Sequence, residues 1–473
     1  MTTSGPPGDL TSWPAHRLAA AMRDARLTVT DVVTAFAERA DALEPTYHAL
    51  VSRRPPDEVV AEAARLDARP AAGRSGALFG LPLAVKDLTD VRGLPTTLGF
   101  WRPDEVAPAS ADADFVPALR AAGAVIVAKT NTPEFGLGSH TYSEVAPTTR
   151  NAFDPRLSAG GSSGGAAVAV ATGMVPVADG SDFMGSLRNP TGWNGVFGLR
   201  PSGPLRPESR PTDVRADGGV AGPVARDATD LALMLAAMSG TPARTGDGGF
   251  PRRVGWLGDL AGYLPTEERL LPTCRSGLAV FGALGADVEE AVLPVTPDFD
   301  DISRLWPTWT TFRHAAVGAE LAEFATQPGV LERMKPEARF EVEGYLALSD
   351  ADRQDMARRR AGLARSFAVL FDTYDVVVLP TAQVFPFSAE LHWPSEIAGA
   401  TMDTYHRWME VTAPATLAGL PVLAVPVPTA GLPIGLQVIG PPLSEPMLLD
   451  VAAQWQRTTA GADGVALCRG APV

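Results

Sequence analysis

The chain has 473 residues, 45% apolar and 20% charged, with a formal net charge of −14. This is the composition of a folded globular protein, and the acidic balance excludes a nucleic-acid partner, because phosphate binding needs a basic face. No basic start followed by an apolar run reads as a signal peptide, and no stretch of about 18 apolar residues reads as a membrane span, so the expectation is a cytoplasmic protein with no membrane partner. Cys274 and Cys468 fit neither a disulfide framework nor a metal spacing and read as reduced thiols. Of the 40 basic residues only three are lysines, Lys86, Lys129 and Lys335. In a chain that otherwise uses arginine, each lysine invites a reason.

Residues 1–12 are rich in Gly, Pro and Ser and read as loose. Helical periodicity follows over 14–25 and 28–43, with Leu27, Val32, Val33, Phe36 and Ala40 on one face and Thr28 as N-cap. An Ala-rich helix is predicted over 57–68, and residues 1–70 are expected to pack as helices on the outside of the main body. From about residue 78, short apolar runs alternate with helical segments. Strands are predicted at 124–128, 175–178, 254–256, 376–379, 422–427 and 436–439, and helices at 112–122, 164–173, 227–239, 266–284 and 443–457. This alternation predicts an α/β fold, a large parallel or mixed sheet covered by helices on both faces. Residues 300–372 are helix-rich with charged faces and read as a helical insertion at the sheet edge. Its Trp306, Trp309 and Phe312 fit a lid or substrate wall and equally a helix core. No repeat or long linker breaks the chain, so residues 1–473 are read as one domain.

The densest local signal is Ala159-Gly-Gly-Ser-Ser-Gly-Gly-Ala166. Glycine there opens backbone conformations closed to other residues and lets another group approach the main chain. A flexible linker is disfavoured because the run leads straight into an apolar helix. A phosphate cradle lacks the lysine of a P-loop and the dinucleotide glycine spacing. The run also fits G-x-S-x-G on Ser162 or Ser163, but that nucleophile elbow needs a preceding strand, and residues 150–158 read as loop. A catalytic serine remains. A second serine, Ser186, follows the strand-like run 175–178 in Asp179-Gly-Ser-Asp-Phe-Met-Gly-Ser186. A strand ending in a Gly-rich turn presents backbone N–H groups and a side chain to a crevice at the sheet edge. An inert Ser/Gly turn is the competing reading.

Serine needs a base. The six histidines are scattered without helpful spacing. Lys86 ends the apolar run Leu78-Phe-Gly-Leu-Pro-Leu-Ala-Val. Burial there favours the neutral amine and makes a base, which arginine cannot become. A snorkelling lysine, or one paired with the adjacent Asp87, is the alternative. Lys129, at the end of a strand in Ala128-Lys-Thr-Asn, is expected to orient local structure.

In this order, Lys86-Asp87, Ala128-Lys-Thr-Asn-Thr-Pro-Glu-Phe, Gly-Gly-Ser-Ser-Gly-Gly, Asp182-x-x-Gly-Ser-x-Arg188, Gly198-Leu-Arg-Pro-Ser, Gly222-Pro-Val-Ala-Arg and Leu432-Pro-Ile-Gly-Leu-Gln-Val-Ile-Gly resemble the amidase signature family over roughly residues 15–460. Singly these pieces are weak; their order is specific. The resemblance implies a Ser-cisSer-Lys triad with Lys86 as base, Ser162 as relay across a cis peptide from Gly161, and Ser186 as nucleophile. It implies Ser163 as a supporting hydroxyl, an oxyanion hole of the N–H groups of Phe183, Met184, Gly185 and Ser186, and an Asp182–Arg188 ion pair bracing the loop. Many family members carry Gly where Met184 stands, so a methionine side chain is expected beside the hole. The implied activity is hydrolysis of a small-molecule carboxamide through an acyl-enzyme, with no cofactor and no metal. Carbamate, nylon-oligomer or lactam hydrolysis is the near alternative. A component of a glutamyl-tRNA amidotransferase, and a G-x-S-x-G esterase using His392 or His406, stand further off. The resemblance suggests a homodimer.

Overall fold

In a computed structural model of the protein, describing residues 9–203, 205, 218–242, 246, 249–429 and 431–459, the organising element is one sheet of eleven strands. In chain order its strands are β1 (Leu50–Val51), β2 (Pro82–Lys86), β3 (Val125–Thr130), β4 (Val177–Asp182), β5 (Phe197–Arg200), β6 (Val220–Ala225), β7 (Arg253–Trp256) and β8 (Asp287–Glu290). After the helical segment come β9 (Val376–Pro380), a separate hairpin of β10 (Glu396–Ile397) and β11 (Ala400–Thr401), and then β12 (Val422–Pro426) and β13 (Gly435–Ile439). Across the sheet the order is β1-β3-β2-β4-β6-β5-β12-β13-β9-β7-β8. β2 runs parallel to β3 and β4, and β7 parallel to β8 and β9; the other neighbours are antiparallel. The fold is therefore the α/β class with a mixed sheet, as the alternation predicts.

β2, β9, β12 and β13 are buried at every position. A strand can be apolar on both faces only where both are covered, and helices supply the cover. Helix Gly164–Ala171 is buried at all eight residues and packs against β4. Helix Val29–Tyr47 is capped as predicted: the Thr28 hydroxyl accepts the Asp31 N–H at 2.9 Å. Residues 302–371 form successive helices ending in the long Asp350–Phe371, whose start carries a Ser349/Asp352 capping box.

Several predicted boundaries move. The strand read over 175–178 begins at Val177 and continues to Asp182, which carries Asp179, Ser181 and Asp182 into the sheet. The helix read over 112–122 starts at Val116, because Asp114 takes a left-handed backbone conformation, φ 50°, that a right-handed helix cannot pass through. The helix read over 266–284 is two, Leu270–Gly277 and Ala279–Ala283. β1, β2, β5, β6 and β8 are strands that the pattern does not single out. Cys274 is a buried free thiol, while Cys468 and residues 1–8 lie outside the described residues. Among the described residues no helix is long and apolar enough to cross a membrane.

Candidate active site

Lys86 is the last residue of β2, beside the carboxyl-terminal half of the parallel strand β4. Its side chain turns into a nest of hydroxyls: Nζ lies 2.7 Å from Ser162 Oγ, 2.9 Å from Ser163 Oγ and 2.9 Å from Ser181 Oγ. Lys86 is only 1% exposed, yet among the described residues no carboxylate reaches its ammonium. The adjacent Asp87 is occupied by Lys129 Nζ at 3.0 Å and by the Thr97 hydroxyl. Asp179 accepts the Lys86 main-chain N–H instead. Burial therefore pushes the Lys86 amine down to about 7, against the upward pull of Asp179 and Asp182. Of the two readings left open for this lysine, the ion pair with Asp87 is excluded by geometry.

The Gly/Ser run owes its glycines to crowding. A Cβ on Gly165 would lie 2.4 Å from the Asn131 backbone nitrogen and 2.6 Å from the Ala49 carbonyl. Tight seating of this run on β1 and on the turn after β3 follows, with the Asn131 amide donating to the His48 and Pro147 carbonyls. The Gly161–Ser162 peptide is cis. Ser162 hangs between this loop and Lys86 and makes no other side-chain bond among the described residues. Ser163 is differently committed: its Oγ donates to the Ser181 carbonyl at 3.2 Å and accepts the Ser181 N–H at 3.2 Å.

The second loop leaves the end of β4. Asp182 organises it by accepting the N–H groups of Gly185, Leu187 and Arg188, while the Arg188 guanidinium closes on both carboxylate oxygens at 2.8 and 2.9 Å. Both partners are wholly buried, and Arg188 also donates to the Thr412 carbonyl, Gln437 and Thr416. Gly185 needs its positive φ of 77°, and a Cβ there would strike Thr412. Ser163 N–H donates to the Ser186 carbonyl at 3.1 Å, tying the two serine loops together. Exposure falls inward from Ser186 at 8% through Ser162 at 2% to Lys86 at 1%.

One detail departs from the expectation for this loop. The Gly185 N–H is already donated to Asp182 Oδ1 at 3.0 Å, so it is not free to receive an oxyanion. The N–H groups of Phe183, Met184 and Ser186 have no acceptor among the described residues. The Met184 side chain is 4% exposed and belongs to the main apolar core.

Helix Leu305–Arg313 abuts the same loop. Phe183 stacks on Phe312 at 5.3 Å and lies 5.3 Å from Trp309. The aromatic cluster is thus both helix core and backing for the serine loop. On the other side, a methyl at Gly136 would lie 3.4 Å from Ser162 Oγ, which places the turn after β3 over the relay position. Among the described residues no histidine bonds Ser162, Ser163 or Ser186. His140 bonds Ser158, His392 stacks on Tyr142, and both ring nitrogens of His406 are buried without partners. No strand runs directly into Ser162: among the described residues β3 ends at Thr130, and the only β-pairing between is in isolated bridges at Arg150, Leu157 and Ser158. Asp179 and Ser181 are participants the sequence reading did not assign; the only signal was their place between a predicted strand and Ser186.

Two serines, Ser162 and Ser163, gather on a lysine at the carboxyl end of β2 in a large mixed sheet, and this cluster is the candidate catalytic centre. Comparison with known proteins gives the family. The Amidase family model matches residues 31–249 and 265–449. The chain is 32% identical to an acylamidase of Rhodococcus erythropolis over 95% of this chain and 96% of that one. It is also 32% identical to one component of the glutamyl-tRNA(Gln) amidotransferase of Roseiflexus sp. strain RS-1, over 93% and 95%. A bacterial aryl acylamidase of the amidase signature enzymes shares the fold, with a TM-score of 0.85 over 98% of this chain and 99% of that chain at 24% identity. The chain belongs to the amidase signature family and is an amidohydrolase acting on C–N bonds of carboxamides.

Proposed function

We propose that the chain, working as one amidase domain, cleaves small-molecule carboxamides with Ser186 as nucleophile, Ser162 as proton relay and Lys86 as base. The observation that carries this reading is the Lys86 amine, buried without a carboxylate partner and 2.7 Å from Ser162 Oγ. A neutral amine has one lone pair and two N–H groups. Ser163 spends its own proton on the Ser181 carbonyl, so it accepts from Lys86. Ser162 has no such commitment, and its O–H donates into the lone pair. As Ser186 Oγ attacks the carbonyl carbon, its proton moves to Ser162 Oγ and the Ser162 proton to Lys86. The N–H groups of Phe183, Met184 and Ser186 receive the developing oxyanion. The proton then returns through Ser162 to the leaving nitrogen as the C–N bond breaks. Water enters by the same relay, cleaves the acyl-enzyme and frees Ser186.

The test is covalent. Wild type, Ser186→Ala, Ser162→Ala and Lys86→Ala are treated with a fluorophosphonate and mapped by peptide mass, then assayed on anilides and carbamates. An adduct on Ser186, with activity collapsing in all three variants, supports the assignment and ranks amide against carbamate. An adduct on Ser162 or Ser163 with Ser186→Ala still active sinks it.

A further inference from the structure

Beside the serine loop stands a buried cation that the proposed chemistry does not use. Arg313 ends helix Leu305–Arg313 and is only 4% exposed. Its Nε donates to Glu341 Oε1 at 2.8 Å and to the Tyr405 hydroxyl at 2.9 Å. Glu341 also accepts the Tyr405 O–H and bonds His314 Nδ1 at 2.9 Å, so the guanidinium is held rigidly from its Nε side. Nη1 and Nη2 have no acceptor among the described residues. They are also absent from the sealed, unpartnered polar atoms of this region, such as the Trp309 and His406 ring nitrogens. A buried guanidinium normally spends its forked donors.

The surroundings place the guanidinium beside the serine loop. The Arg313 guanidinium carbon lies 5.6 Å from the Phe183 ring, 6.0 Å from Trp309 and 5.7 Å from Tyr405. Phe183 opens the loop that ends in Ser186. Tyr405 packs on Gly138, where a Cβ would touch its ring at 3.6 Å, and Gly136 in the same turn covers Ser162. The fork is therefore one side chain away from the nucleophile loop and one side chain away from the cover of the relay.

We infer that Arg313 is a specificity-determining residue whose Nη1 and Nη2 hydrogen-bond a neutral acceptor oxygen, such as a second carbonyl, carried by the substrate besides its scissile amide. A neutral oxygen fits better than a carboxylate because Arg313 already faces one ionised partner. Burial pushes the Glu341 carboxyl up, but Arg313 and the His314 hydrogen bond outweigh it and hold the group down at about 2. A second anion among Phe183, Trp309 and Phe312 would lack a counter-charge, whereas a carbonyl satisfies the donors without adding charge. Glu341, His314 and Tyr405 are positioning residues for this fork.

The inference rests on the Ser186 amidase reading and is tested separately from it. Two matched series are assayed with the full chain: anilides bearing para-ethyl, para-acetyl or para-carboxylate, and anilides of pentanoyl, 4-oxopentanoyl or 3-carboxypropanoyl. In at least one series the ketone member should exceed the alkyl member in kcat/KM by about tenfold or more, because a site built for an acceptor rejects its absence. That ratio should collapse towards one in Arg313→Met/Glu341→Gln, which removes both charges and leaves no lone buried ion, with the loss carried in KM. Arg313→Lys keeps a charge for Glu341 and gives the same answer should the double variant fold poorly: the ratio falls as the fork is lost. A ratio unchanged in these variants, no ketone preference in wild type, or preference for the carboxylates overturns the inference. Failure of the underlying reading looks different: Ser186→Ala would then remain active whatever happens at Arg313.

Discussion

Two buried lysines sit at the ends of neighbouring parallel strands, Lys86 on β2 and Lys129 on β3, one position out of register, and they have opposite fates. Lys129 meets Asp87 at 3.0 Å and Thr96 Oγ1 at 3.0 Å, so its charge is compensated and it acts as an internal brace. Lys86 meets three hydroxyls and no carboxylate. Burial alone does not make a base. What matters is whether a counter-charge is supplied, and here Asp87, next in sequence to Lys86, is supplied to the other lysine.

Exchanging the loss of each lysine tests this contrast most severely. Lys86→Met should lower kcat/KM by about 10⁴-fold or more, since members of a catalytic unit fail together. It should leave the thermal transition in place or raise it, because it removes an amine that resists charging inside the fold. Lys129→Met should do the reverse. It strands the Asp87 carboxylate and should cost about 3–5 kcal/mol of stability by denaturant unfolding, while the protein that remains folded keeps an active relay. The double variant Lys129→Met/Asp87→Asn should recover much of that loss. If Lys129→Met inactivates without destabilising, Lys129 is not a brace.

The pH dependence is a milder test of the same point. With its amine brought down to about 7, Lys86 is the active base only above that value. Below it kcat/KM should fall about tenfold per unit, as the fraction of neutral amine does. The stability effect has a definite sign. The unfolded lysine holds its proton up to about 10.5, so between about 7 and 10.5 the unfolded chain binds more protons and this residue makes stability rise with pH. A rate profile still climbing beyond pH 9 would mean that Lys86 is charged in the resting enzyme.

Much of this was legible in the sequence, and unevenly so. Lysine in an arginine-using chain, the Gly/Ser run and Ser186 after a strand marked the positions that the fold gathers into the candidate site, because each breaks a local rule. The helices were legible from period and cap, as Thr28 shows. The strands carrying the site were less so. β2 reads as an apolar lead-in to Lys86, β5 and β6 carry Gly or Pro, and β8 is Asp-Val-Glu-Glu at the sheet edge. β4 ends in Asp-Gly-Ser-Asp, polar residues that a hydrophobic pattern assigns to a loop. Only the pairing of β4 with β2 and β6 makes them strand, and so only the fold reveals Ser181 under the lysine and Asp179 on its backbone. The Gly185 N–H was misjudged for a related reason: its use depends on which way the Asp182 carboxylate turns.

The smallest effect separates the two serines within the run. Ser163 accepts an N–H from Lys86 but passes no proton, because its own goes to the Ser181 carbonyl. Ser163→Ala should therefore slow turnover by about tenfold or less, within the range of an ordinary supporting hydrogen bond, against the collapse expected for Ser162→Ala. Losing an acceptor also withdraws support from the ammonium more than from the amine, so the acid limb of the rate profile should move to lower pH. Both readouts come from one set of pH–rate curves. A collapse in Ser163→Ala equal to that in Ser162→Ala, with the limb unmoved, would make Ser163 a carrier of the proton and erase the distinction between relay and support.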